Sequence, residues 1–297
     1  MTKIFKCLSL MFFHAFSLYA ENSVRVLVYG MINQNEGMAV YEIQDEKITK
    51  VIDANSLRPE SIKDDWRRDM RQLRPLAIKN GKLYYYLPVM RASEGFDVGV
   101  YQIRVDSESE NESPMLLVKT PILTNIISSI TPGNYFGITE LGDVLFLSLD
   151  DGRYHHSTLK NVLFVSSLES ETVIIVKGDG SVFKCTLEDA GESRLERIIN
   201  GRGFSKCFAL KNAGITEYLI EINWKIGKLN VQEDAFKMLA NDNVTCSTYN
   251  HQERLAYFFS ASESDGRTLY KWNVDQDRAS IVAHGVFNDT LISYVME

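Results

Sequence analysis

The chain has 297 residues, 45% hydrophobic and 24% charged, with 39 acidic residues against 32 basic ones and a formal net charge of −7. This apolar content excludes a disordered chain, because there is enough surface to bury to offset the entropy of ordering. The acidic balance excludes polyanion binding as the main task, so no nucleic-acid partner is expected.

The first twenty residues form a separate object. Lys3 and Lys6 precede an almost wholly apolar stretch, 7–19, and Ala20 stands before the polar Glu21-Asn22-Ser23. This pattern predicts a secretory signal peptide over 1–20, too short to span a bilayer comfortably and followed by no stop-transfer pattern. Cleavage after Ala20 would put Leu18 at −3, whereas cleavage after Ser17 puts Ala15 there, which suits the small-residue rule better. Cys7 opens the apolar run and does not follow it, which argues against a lipoprotein signal. A buried N-terminal helix is the other reading, but the run has no polar face. The expected destination is the periplasm or the exterior of the cell, with no transmembrane segment.

From there the chain repeats. Copies of one hairpin begin near Leu27, Tyr85, Phe136, Ile174, Leu219 and Phe258. Their first strands read VRVLVYG, KLYYYLPV, YFGITE, TVIIVKG, EYLIEI and LAYFFS; the partners read MAVYEI, VGVYQIRV, DVLFLSL, SVFKCTL, KLNV and TLYKWNV. Aromatic and β-branched residues at period two, with turn residues between, are the mark of hairpins. The copies stand roughly 46 residues apart, within the range of propeller blades. A further apolar strand follows each pair, and another precedes the next copy. Counting them leaves a spare strand at 291–296 (LISYVM), which closes a ring of six four-stranded blades without an unpaired edge.

The clearest copy, 254–275, carries Phe258-Phe259-Ser260, then Asp265-Gly266, then Leu269-Tyr270 and Val274-Asp275. An apolar strand ending in Ser, a Gly-containing turn, Leu-Tyr and a strand ending in Asp resemble the repeat of TolB-like six-bladed propellers. The match is partial at 98–106 and poor elsewhere. That resemblance implies fold and little more, because such propellers host binding proteins and enzymes alike.

Two insertions interrupt the repeat. In 58–74, Ile62, Trp66, Met70 and Leu73 fall on one stripe, predicting a helix of three to four turns that starts near Ser61 and ends at Pro75. Arg67, Arg68, Arg71 and Arg74 make it locally basic, which suits an anion grip, but i,i+4 pairing with Asp64, Asp65 and Asp69 on a solvated helix face is the better reading. The second insertion, 106–113 (DSESENES), is acidic and is given no role.

In a propeller, the connections from second to third strand and from fourth to next first strand open on one face. Units three, four and five have tight turns there, at 141–143, 177–181 and 223–227. Units six, one and two have longer ones, at 260–267, 31–37 and 90–97, and these three are neighbours once the ring closes. Long loops beside an inserted helix are where a binding site is grafted onto a rigid frame, although loops also lengthen by drift at little cost. Asn33, Arg91, Phe96, Glu263, Asp265 and Arg267 are the candidate binding residues, offering polar and aromatic contacts on that sector.

Signals for catalysis are thin, and no catalytic residue, metal ligand or cofactor is assigned. His155 and His156 are adjacent on a strand and point to opposite faces, while His251 and His284 lack ligand spacing. Ser264-Asp265-Gly266 looks like a sialidase Asp-box, but there Ser and Gly each stand two residues from the Asp, so a hairpin turn is the better reading. After cleavage three cysteines remain, Cys185, Cys207 and Cys246, neither a disulfide framework nor a zinc site. Cys207 and Cys246 each stand eleven residues before a strand tyrosine, Tyr218 and Tyr257, and are expected at equivalent places on neighbouring innermost strands, as buried free thiols.

The sequence thus predicts an all-β, six-bladed propeller over 21–297, closed by its C-terminal strand and carrying one helix at about 58–74. Its expected role is that of an exported, non-catalytic binding or scaffold module, monomeric, recognising a protein or a glycan. The rival is an exported carbohydrate-active hydrolase or lyase working through channel-mouth carboxylates such as Glu36, Glu94, Glu263 and Asp265.

Overall fold

The computed structural model describes residues 24–32, 37–44, 47–59, 72–88, 98–106, 112–168, 172–186, 195–200, 203–210, 217–240, 243–251, 253–261 and 266–295. Within them the chain is all-β, and the one helical element is a single 3₁₀ turn, Ala54–Leu57. The strands are β1 (Val24–Met31), β2 (Ala39–Gln44), β3 (Lys47–Asp53), β4 (Arg74–Lys79), β5 (Lys82–Leu87), β6 (Gly99–Arg104), β7 (Met115–Lys119) and β8 (Leu123–Ser128). Next come β9 (Asn134–Thr139), β10 (Val144–Ser148), β11 (Arg153–His156), β12 (Val162–Ser167), β13 (Thr172–Lys177), β14 (Val182–Thr186), β15 (Glu196–Ile199) and β16 (Phe204–Ala209). The last are β17 (Glu217–Ile222), β18 (Lys225–Asn230), β19 (Ala235–Ala240), β20 (Val244–Asn250), β21 (Leu255–Ala261), β22 (Arg267–Asn273) and β23 (Arg278–Val295).

Four sheets are four-stranded antiparallel meanders, β4 to β7, β8 to β11, β12 to β15 and β16 to β19. The remaining strands form a seven-stranded sheet ordered β20-β21-β22-β23-β1-β2-β3. Its pivot is β23, an 18-residue strand. The first half of β23 pairs with β22, from Asn273↔Arg278 to Arg267↔Gly285, and its second half pairs with β1, from Met31↔Val286 to Val24↔Val295. The sequence suggested two separate strands here, one ending unit six and one at 291–296. They are one continuous strand, and through it the last strand of the chain is hydrogen-bonded to the first.

The leading strands of the sheets gather around a common axis: β12 touches β8 and β16, and β23 touches β4, β8 and β20. Buried polar groups stitch one sheet to the next. Tyr85 donates to the Leu57 carbonyl (2.7 Å), Tyr135 to the Leu76 carbonyl (2.9 Å) and Ser166 to the Cys207 carbonyl (2.7 Å). Burial pushes the Tyr135 phenol far up, so it stays a neutral donor. Between the β16–β19 sheet and β20 the stitch is charge-assisted. Ser247 donates to the Glu221 carboxylate of β17 at 2.8 Å, and Lys206, 3.2 Å from that carboxylate within its own sheet, donates to the Ser247 carbonyl at 3.3 Å.

One irregularity repeats. The leading strands β4, β8, β12, β16 and β20 each carry a register shift close to their start, at Leu76, Thr124, Leu163, Ser205 and Thr245. Such a bulge turns one extra side chain out of the ladder and increases the local twist. The Thr124 and Ser205 hydroxyls each donate to the facing strand, to the Ile138 and Glu221 carbonyls, both at 3.0 Å.

Counted from this bulge, Cys207 (paired with Ile220) matches Ser247 (paired with Phe258), and Cys246 (paired with Phe259) matches Lys206 (paired with Glu221). This corrects the expected equivalence of Cys207 and Cys246. Tyrosine spacing placed the register one residue off, which in a strand exchanges the two faces. Cys207 and Cys185 are buried free thiols, and burial pushes the Cys207 thiol far up.

The segment 60–71, the body of the expected helix, lies outside the described residues, as does the expected signal peptide. At the helix's far end the expectation needs correcting. Arg74 opens β4 and Pro75 is its second residue, opposite Tyr85. A leading edge strand tolerates proline because its N–H is not needed by a ladder partner on that side. Leu73, just ahead, is fully buried, as the stripe predicted.

Candidate functional site

Three tight turns define one face. Between β9 and β10 the chain turns through Gly142 (φ 76°), and between β13 and β14 through Gly180 (φ 78°). Between β17 and β18 only Asn223 and Trp224 intervene, both left-handed (φ 48° and 62°), the signature of a two-residue hairpin turn of type I′. This is tighter than the expected 223–227. Each turn is docked against the start of the next sheet's leading strand. Val162 donates to the Gly142 carbonyl (3.0 Å) and Val244 to the Trp224 carbonyl (2.7 Å). A Cβ on Gly180 would come within 2.6 Å of the Gly203 nitrogen. Second-to-third turns and leading-strand starts therefore share one rim.

The two halves of β23 meet on the same rim. Arg267 pairs with Gly285, and Met31 pairs with Val286. The strand ends that border connections 32–37 and 261–266 thus converge on consecutive residues. They approach so closely that a Cβ on Gly285 would lie 2.6 Å from the Met31 carbonyl, and one on Gly30 2.6 Å from that of Val286. Of the candidate binding residues, Arg267 is described, half-buried at the start of β22. Asn33, Arg91, Phe96, Glu263 and Asp265 lie outside the described residues, as do Glu36 and Glu94.

A site the sequence did not suggest lies farther round the rim, over the seam between the β4–β7 and β8–β11 sheets. It is an open cleft of about 440 Å³ lined by Gln72, Arg74, Pro88, Ile122, Leu123, Thr124 and Glu140. Beneath it the Tyr86 hydroxyl accepts the Leu123 N–H at 2.8 Å. Burial raises that phenol, opposed by the Leu123 bond and by the Arg74 guanidinium. Its residues come from the ends of β4 and β5, the start of β8 and the β9–β10 turn. No local motif joins them, so only the packing of two sheets could disclose the cleft.

The cleft offers a guanidinium, an amide, a hydroxyl and one carboxylate beside proline and leucine. Among the described residues no three His, Cys, Asp or Glu side chains converge as a metal site would require. His155 and His156 are exposed on β11, where they pair with Phe146 and Leu145. Large apolar side chains stand out on the rim: Leu141 is 83% exposed, Trp224 65%, Leu163 48%, Ile122 44% and Val286 41%.

No protein-family model matches the chain, and no curated protein matches it in sequence. Solved structures do match. TolB from Acinetobacter baumannii superposes with a TM-score of 0.58 at 8% identity, over 93% of this chain and 67% of that one. The putative TolB from Agrobacterium tumefaciens gives 0.53 at 11% identity, over 92% and 97%. The fold is that of a TolB-like β-propeller, and at such identities the likeness speaks for the fold alone.

Proposed function

We propose that this is an exported, non-catalytic binding or scaffold propeller that recognises a protein or glycan partner through this rim. Its blades number six, the two halves of β23 counting separately, and the second half of β23 closes the ring. The observation that carries the reading is the convergence of two loop-bearing strand ends, at Met31 and Arg267, on Gly285-Val286 of one strand. Strand ends mounted on a shared, tightly paired strand are fixed relative to one another, and rigid anchor points lower the ordering cost of binding. The adjacent cleft adds a concave element with mixed polar and apolar lining. Glycoside chemistry needs two carboxylates about 5–10 Å apart; the described cleft supplies one, Glu140.

The test is a partner capture with the mature chain as bait in the envelope fraction or medium of the exporting cell. Charge reversal at Arg267 together with Arg91 is expected to weaken the captured complex. Replacing 106–113 with a short Gly-Ser linker is expected to leave it intact. Loss with the linker variant and retention with the arginine variant would place the working surface on the other face.

A further inference from the structure

We propose that the short-turn sector of the rim rests on a phospholipid bilayer surface, with Trp224, Leu141 and Leu163 entering the interfacial layer. Trp224 is the starting point. It occupies a left-handed turn position (φ 62°) where a bulky residue is strained and glycine or asparagine is at ease, and yet it is 65% exposed. Packing does not require it there. The turn is held rigid by the bond from the Val244 N–H to the Trp224 carbonyl. An exposed indole on a stiff tip is suited to the headgroup level of a bilayer, where an amphipathic ring is most stable.

Two leucines accompany it. Leu141 stands at the tip of the β9–β10 turn, and Leu163 is turned outward by the bulge of β12, one residue after the Val162 that bonds that same turn. All three are protrusions from separate blades and not the lining of one groove. A folded protein partner would need three matching pockets, whereas a fluid interface accepts separate tips without any.

Charge decides the orientation. On this sector of the rim, the acids Glu140, Asp143 and Asp179 are matched by Lys160, Lys177 and Lys225. Asp143 and Lys160 bridge at 2.9 Å, Lys177 is bound to the Lys160 carbonyl, and Asp179 is capped by Ser181. The connections at the opposite ends of the strands are predominantly acidic. Asp106, Glu112, Asp150, Asp151, Glu233, Asp234, Asp275 and Asp277 are all exposed, and the base among the described residues of those connections is Arg254, which bridges Asp275 at 2.7 Å. An anionic membrane repels that face and leaves the balanced, apolar-tipped one to approach.

The experiment uses the mature chain with Trp66→Phe, so that Trp224 reports against Trp272, which is 1% exposed. Vesicles of POPC alone and of POPC with one quarter POPG are added, with cosedimentation read in parallel. A blue shift of tryptophan emission and cosedimentation are expected with both compositions. Binding is expected to survive 0.5 M NaCl, because insertion and not net charge drives it. Trp224→Ser with Leu141→Ser is expected to lower cosedimentation at least tenfold while the melting temperature holds. Met115→Ser, an exposed apolar site (56%) on an outer strand, is expected to change nothing. Absence of both shift and cosedimentation overturns the proposal. So does a shift that appears without lipid as protein concentration rises, which would make a second copy of the chain the occupant. Equal loss with Met115→Ser would reduce the effect to general stickiness and overturn it as well.

Discussion

The β12–β19 region and the β22–β23–β1 junction pass the chain from blade to blade in different ways. In the first, a leading strand starts after a connection and is pinned by the preceding blade's tight turn, as Val162 is by Gly142. At the junction no connection intervenes, and one strand serves both sheets. The glycines differ accordingly. Gly142 and Gly180 are needed for a left-handed backbone, whereas Gly30 and Gly285 are needed because two backbones approach too closely for any Cβ. A modular seam tolerates local change because its bonds are few and independent. A continuous strand concentrates the connection in one element.

The largest effect expected from that contrast follows removal of 291–297. This strips β1 of its partners from Val24 to Val28 and exposes a long apolar edge. Aggregation or unfolding is expected in size-exclusion chromatography. A truncated protein that elutes as a monomer with unchanged melting would break the claim that the junction holds the ring. Next comes Gly285→Val, where the added side chain has backbone 2.6 Å away. A cost of about 3 kcal/mol is expected in urea unfolding, as for overpacking without room to relax.

A third prediction concerns acid. His251 follows β20, stacks edge-on against Tyr249 at 4.7 Å and hydrogen-bonds the Ser167 backbone of another blade. Burial, aided by Arg254 and opposed by the Ser167 bond, lowers its pKa to about 4. The fold thus prefers neutral His251, while the unfolded chain takes up a proton near pH 6.5. Stability is therefore expected to fall as pH drops from about 6.5 to about 4, by up to roughly 3 kcal/mol. His251→Gln is expected to flatten that limb of a melting-versus-pH profile; an unchanged slope would remove His251 as the cause.

The smallest expected effect is a gain. Trp224→Gly relieves the left-handed strain of its turn and is expected to stabilise the fold by about 0.5–1 kcal/mol in thermal melts. A gain accompanied by lost vesicle binding would show that the tryptophan is kept for contact and not for the fold.

The strands were legible in the sequence because alternating apolar residues and turn glycines act locally. Leu255–Ala261 and Arg267–Asn273 pair as their pattern predicts, as do the other hairpins. Leu73 likewise showed its burial through a stripe. The bulges at Leu76, Thr124, Leu163, Ser205 and Thr245 left no such mark, because a bulge answers to the twist demanded by a neighbouring sheet and not to residue type. For that reason the register linking Cys246 with Lys206 could not be counted from tyrosines. The continuity of β23 was also hidden, since turn residues at Gly285 and 288–289 read alike whether the strand stops or runs on. The cleft of Arg74, Pro88, Thr124 and Glu140 and the exposed tips of Leu141, Leu163 and Trp224 were decided only when sheets packed. Sequence determines which residues can bury themselves in a strand; which are left facing outward together depends on contacts between segments far apart in the chain.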